Sequence, residues 1–163
     1  MKICVPVTAI LAALVVLSGC GYTTAGLHRT DVQTVAIPTF QSQEFRRGLE
    51  QELTRELVRM IELRTPYKVT SQERADTIIE GQVIDLAEQV LAEDEDDMVT
   101  EGLVTLRVSF RWKDLRTGQI IREGRPHQTW HFAGSEDQTL RSAQTTAIRK
   151  LAERIVEEME APW

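Results

Sequence analysis

From position 104 to 113 the chain alternates without a fault. Val104, Leu106, Val108, Phe110 and Trp112 are apolar, and Thr105, Arg107, Ser109, Arg111 and Lys113 between them are polar. A side-chain period of two belongs to a strand with one buried face and one wetted face. No helical period gathers these apolar residues on one side. Residues 104–112 therefore predict a long strand whose apolar face must be covered by other parts of the chain, while the polar face stays open.

Two amphipathic segments can supply that cover. Over 44–63, Phe45, Leu49, Leu53, Leu57 and Ile61 recur every fourth position with charged residues between them. This is one stripe of a helix about 30 Å long. Ser42 is a suitable N-cap, and Thr65-Pro66 stops the helix. Near the C-terminus, Leu140, Ala143, Ala147, Leu151, Ile155 and Met159 form a second stripe, widened by Ile148, Ala152 and Val156. It opens with Ser135-Glu136-Asp137-Gln138, a capping-box pattern, and closes at Pro162. Further strands are expected over 34–37, 67–70 and 75–86. Another is expected over 120–132 after the turn Arg116-Thr117-Gly118-Gln119, with Trp130 and Phe132 on one face. Two one-sided helices need one shared surface. The expected fold is an α/β (α+β) two-layer sandwich, in which a mixed four- to five-stranded sheet carries both helices on one face. At 163 residues and 42% apolar, the chain has material for one such core.

Charge is segregated along the chain. There are 25 acids against 19 bases, a formal net charge of -6, so a uniformly basic nucleic-acid binder is excluded and no nucleic-acid partner is expected. Residues 75–106 hold ten acids and no base, including the run Glu93-Asp94-Glu95-Asp96-Asp97. That run reads as a solvated hairpin tip rather than a Ca²⁺ loop, because the D-x-[DN]-x-[DN]-G pattern is missing. Residues 103–133 reverse the balance, with six bases and two acids. Arg107, Arg111 and Lys113 fall on the polar face of the long strand. Such a row is either an ordinary solvated face or a set of contacts for an anionic ligand, since Arg can hold phosphate bidentately.

No catalytic constellation is present. His127 and His131 lie four apart in an expected strand, a separation of about 13 Å that no single ion bridges. Ser135 lacks a G-x-S-x-G elbow, and neither glycine-rich phosphate motif occurs. The sequence predicts no enzyme, no metal site and no cofactor.

The N-terminus indicates export. Met1 and Lys2 precede an apolar run over 3–17, broken by Pro6 and Thr8 and shorter than the ~20 residues of a membrane-spanning helix. The run ends in Leu17-Ser18-Gly19-Cys20, which resembles the lipobox of bacterial lipoproteins. That resemblance implies a signal peptide over 1–19 and lipid attachment at Cys20. A lipidated tether over 20–32 and a domain over 33–163 would follow. Cys4 would leave with the signal, so the mature chain would contain no internal disulfide. Gly21 after the cysteine, where an aspartate would resemble a retention signal, favours the outer membrane. Each buried acyl methylene adds about 0.8 kcal/mol to such an anchor.

Lipobox and Gly21-Tyr22 are followed by the short strand Val35-Ala36-Ile37-Pro38 and a long amphipathic helix. Ala75-Asp76-Thr77-Ile78-Ile79-Glu80-Gly81 then opens a strand, and a basic-aromatic meander and a C-terminal helix close the chain. This pattern resembles the LptE family of lipopolysaccharide-assembly lipoproteins. The resemblance implies a lipid-anchored protein on the periplasmic side of the cell outer membrane. It would plug and support an LptD-type β-barrel and assist lipopolysaccharide transport and assembly, without catalysis. Arg107, Arg111 and Lys113 are then the candidate lipopolysaccharide contacts. The alternatives are an envelope-structural lipoprotein, or a periplasmic chaperone-like lipoprotein using a free sheet edge. Cys20→Ser should abolish acyl labelling of the protein, and labelling that persisted in this variant would end the lipoprotein reading.

Overall fold

The computed structural model describes residues 29–42, 48–93, 95, 99–133 and 137–160, with side chains described from 141 onward in the last segment. The signal segment, Cys20, the tether up to 28, the helix start at 44–47, part of the acidic run, the Ser135 capping box and Pro162 lie outside the described residues. In chain order the elements are β1 (Thr34–Ala36), β2 (Gln41–Ser42), α1 (Leu49–Arg64), β3 (Lys68–Val69), a 3₁₀ turn (Gln72–Arg74), β4 (Thr77–Glu93), β5 (Val99–Asp114), β6 (Ile120–Gly124), β7 (His127–Ala133) and α2 (Asp137–Glu160).

The sheet is built on the hairpin of β4 and β5, the two longest strands. Across it the order is β3-β1-β4-β5-β6, with β2 also beside β4 and β7 also beside β5, so seven strands fill five rows. β1 pairs in parallel with β3 and β4, and β2 pairs in parallel with β4. All pairings of β5 are antiparallel. The sheet is mixed, as the alternation of helix and short strand followed by a meander requires.

On β5 the expected alternation holds. Val104, Leu106, Val108, Phe110 and Trp112 are each at most 1% exposed. Leu106, Val108, Phe110 and Trp112 meet Leu49, Leu53, Leu57, Met60 and Ile61 of α1 and Ile148, Leu151, Ala152, Ile155, Val156 and Met159 of α2 in one core. Both helices thus cover the same face of the sheet. Burying a side chain of this size contributes roughly 1.5–3 kcal/mol. Trp112, the largest fully buried side chain, also meets the Tyr67 ring at a centroid distance of 5.7 Å, tilted by 52°. Among the described residues no helix is long and apolar enough to cross a membrane.

β4 carries a bulge where its own sequence would otherwise fail. Val83 pairs with Val108, but Asp85 pairs with Arg107 and Leu86 with Leu106, so Ile84 is an extra residue on this strand. One extra residue reverses the side-chain parity. Ile79 and Val83 face the core before it, and Leu86 packs against the core after it. Without the bulge Asp85 would turn inward.

Several boundaries differ from the sequence-based expectation. Ser42 is not a helix cap. Its backbone pairs beside Val83 as part of β2, and α1 begins at Leu49 behind Gly48, whose φ of 101° suits glycine. The strand expected over 75–86 runs on to Glu93, because β5 pairs with it along its whole length. The single strand expected over 120–132 is two strands. Arg125-Pro126 interrupts it, since proline has no N–H for a ladder. Val108 nevertheless donates to the Pro126 carbonyl at 3.1 Å, which keeps β7 alongside β5.

The segment Ala75–Gly81 is explained at both ends. Asp76 Oδ2 accepts hydrogen bonds from the Gln33 and Thr34 N–H groups at 3.1 and 3.0 Å and from the Thr34 hydroxyl at 2.8 Å. Its own N–H donates back to Thr34 Oγ1 at 2.9 Å, so one side chain fastens β1 to β4. At Gly81, a Cβ would lie 2.2 Å from the Phe40 ring, and only glycine leaves that space. Phe40 is held in turn by its N–H, which donates to Thr54 Oγ1 of α1 at 3.1 Å.

At the same end of the hairpin, Asp114 Oδ1 accepts from the Arg116 and Thr117 N–H groups at 2.7 and 2.9 Å and shapes the turn into β6. The Thr117 N–H, helped by Arg116, holds the Asp114 carboxyl down to about 2. The Thr34 hydroxyl and the two N–H groups hold Asp76 below the ordinary carboxylate range as well.

Two outcomes follow from this packing. Phe110→Ala should cost about 3–5 kcal/mol in denaturant unfolding, and a loss under about 1 kcal/mol would contradict the core assignment. Both aspartates titrate lower when folded than when unfolded. The stabilisation from Asp114 is complete above the unfolded value near 3.9 and is lost as pH falls from there towards about 2, and that from Asp76 is lost in the same direction. Asp114→Asn should flatten this part of an acid-unfolding curve followed by circular dichroism. A curve as steep as the parent's would refute the role given to Asp114.

Candidate functional site

The sheet face away from the helices is the place where the candidate cations lie. Arg107 and Arg111 are exposed and Lys113 is half-buried, all on the alternate positions of β5. Their neighbours across the sheet are set by register. Arg107 faces Asp85, Arg111 stands between Glu80 on β4 and Glu123 on β6, and Lys113 stands between Ile78 and Ile120. The three cations share one face, but acids on the flanking strands alternate with them.

Only one of these acid neighbours forms an ion pair. Both Nε and Nη2 of Arg107 donate to Asp85 Oδ2, with Nε at 3.0 Å. The pair is solvent-exposed and contributes at most about 1 kcal/mol. Its consequence is chemical, because Arg107 already has an anion. Arg111 has no ion-pair partner among the described residues, despite Glu80 and Glu123 on either side.

Arg111 also lines a concavity of about 830 Å³ on this face. The loop after β1 gives Pro38 and Thr39, and β2 gives Gln41. The 3₁₀ turn supplies Gln72, and β4 supplies Glu80 and Gln82. Ser109 and Arg111 come from β5, while Glu123 and Arg125 close the side where β6 ends. The lining is rich in amides, carboxylates and guanidinium groups, which can donate to and accept from a hydrated ligand. Arg125 is exposed, and the Arg125-Pro126 break places it at the rim. Arg107 and Lys113 are not among the lining residues. Sequence reasoning passed over Arg125, Gln41, Gln72 and Gln82, because nothing local marks residues from four separate segments as neighbours. The one available signal was Pro126, which forbids a continuous strand there.

His127 and His131 are both exposed on β7 and point to the same open face. His131 Nε2 lies 3.8 Å from Glu101 Oε2. Among the described residues no group of three potential ligands could hold a metal ion.

The fold is similar to that of several solved bacterial proteins. One similar structure is PelC from Paraburkholderia phytofirmans, crystallised as a dodecamer, with a TM-score of 0.61, 15% identity and coverage of 85% of this chain and 96% of that one. Another is protein XCC0632 from Xanthomonas campestris, with a TM-score of 0.60, 8% identity and coverage of 77% and 81%. A third is a minor lipoprotein from Acinetobacter baumannii, with a TM-score of 0.56, 16% identity and coverage of 80% and 94%. At such identities the likeness defines the fold alone. No curated protein matches the chain in sequence.

The family is settled by sequence. The model of the lipopolysaccharide-assembly family LptE matches residues 32–161, from just before β1 to the end of α2, and the chain belongs to that family.

Proposed function

We propose that this protein is a lipid-anchored component of the outer membrane. In this reading it supports an LptD-type β-barrel from the periplasmic side, assists lipopolysaccharide assembly and performs no chemistry of its own. The family membership supports the role in lipopolysaccharide assembly. The observation that carries the site is the polar concavity holding Arg111 and Arg125, of about 830 Å³.

A lipopolysaccharide headgroup combines phosphates with sugar hydroxyls. The guanidinium groups suit the phosphates by charge-assisted hydrogen bonds. Gln41, Gln72, Gln82, Glu80 and Glu123 suit the hydroxyls, which both donate and accept. The row Arg107, Arg111 and Lys113 enters this proposal unequally. Arg111 lies in the concavity, Lys113 lies beside it on the same strand, and Arg107 is held by Asp85.

The test is lipopolysaccharide retention at two salt concentrations on folded protein. Reversing Arg111 and Arg125 to Glu should weaken retention, most strongly at low salt, where exposed charges are least screened. Arg107→Glu alone should weaken it less. Retention by the double variant equal to the parent's at low salt would overturn the site assignment.

A further inference from the structure

The concavity on the open face has four charged groups in its lining, Glu80, Arg111, Glu123 and Arg125. Their formal charges cancel. Three of them stand in one row across the sheet, because Arg111 of β5 pairs with Glu80 of β4 on one side and with Glu123 of β6 on the other. Side chains opposed in this way are about 5 Å apart at Cβ, close enough for an ion pair. Among the described residues, however, none of the four makes an ion pair or a side-chain hydrogen bond. The concavity therefore presents two cations and two anions side by side.

A ligand with phosphate alone uses half of this arrangement. Its charge is attracted by Arg111 and Arg125 and repelled by the carboxylates on both sides of Arg111. A sugar hydroxyl can donate to a carboxylate, but it leaves the charge of the carboxylate uncompensated. An ammonium group supplies three donors and the compensating charge together. Gln41, Gln72 and Gln82, which donate and accept without charge, remain for hydroxyls.

We infer that the concavity takes a phosphate ester with a primary ammonium group a few atoms away, the phosphate on Arg111 and Arg125 and the ammonium on Glu80 or Glu123. A two-carbon aminoalkyl phosphate separates its charges by about one strand spacing, roughly 5 Å. Both a glycolipid and a phospholipid can carry this group. The inference rests on the reading that the concavity holds a phosphate-bearing headgroup, and adds the amine to it.

Amide chemical shifts of the whole protein in a maltoside detergent test it. The probes are O-phosphoethanolamine and glycerol 3-phosphate, which has hydroxyls in place of the amine. Both should shift amides within 80–82, 109–111 and 123–125, with O-phosphoethanolamine binding several-fold tighter. Glu80→Gln with Glu123→Gln should remove this preference, weakening O-phosphoethanolamine and tightening glycerol 3-phosphate, without changing the circular dichroism of the protein. Arg111→Gln with Arg125→Gln should weaken both. Equal affinities in the parent, or a preference that survives the two glutamate substitutions, would overturn the inference and leave the phosphate reading standing. Shifts from neither probe would overturn both. Two further arms identify the carrier. Lipopolysaccharide bearing phosphoethanolamine is compared with the same lipopolysaccharide lacking it, and micelles mixed with phosphatidylethanolamine are compared with micelles mixed with phosphatidylglycerol. A preference for the amine in the first arm assigns the glycolipid, one in the second assigns the phospholipid, and a preference in neither overturns the inference.

Discussion

The register of the hairpin formed by residues 77–93 and 99–114 is the constraint from which the other positions follow. One short parallel strand and then another lie along its first arm, and two antiparallel strands lie along its second. Both helices rest on the face that the second arm fills with Leu106, Val108, Phe110 and Trp112. A slip of one residue would exchange this row for Arg107, Arg111 and Lys113. The bulge at Ile84 is part of the same constraint. It lets the first arm keep Val83 and Leu86 inside although their spacing does not fit a plain strand.

The two ends of the sheet have different chemistry. Where the chain enters, Asp76 and Asp114 turn their carboxylates onto backbone N–H groups of neighbouring segments. These are charge-assisted bonds at strand ends, where no ladder would otherwise satisfy the donors. At the far end the hairpin carries exposed Val90 and Leu91 in an acidic surround. One end is fastened by part-buried polar contacts, and the other leaves apolar side chains exposed.

The open face also reads differently once folded. Along the chain, residues 103–133 look basic. Across the sheet, Asp85, Glu80 and Glu123 come from other strands and stand beside the arginines. The face is thus a mixed polar surface with a concavity, better suited to a ligand having both anionic and hydroxyl groups than to a bare polyanion.

The sequence by itself determined the long alternating strand, the two helical stripes, the two-layer class and the position of the turn at Gly118, whose φ of 73° needs glycine. These are periodic or local signals, and each is complete within one segment. The family resemblance was legible in the same way, from short motifs in fixed order. Tertiary structure alone decided that Ser42 pairs in the sheet instead of capping a helix, and that residues 120–132 divide at Pro126. It also decided that Asp85 takes up Arg107 and that Arg125 joins Arg111 at one concavity. Each of these depends on which strand lies beside which, and in what register. A strand's own residues do not contain that information, because the groups that complete them are contributed by chain segments tens of residues away.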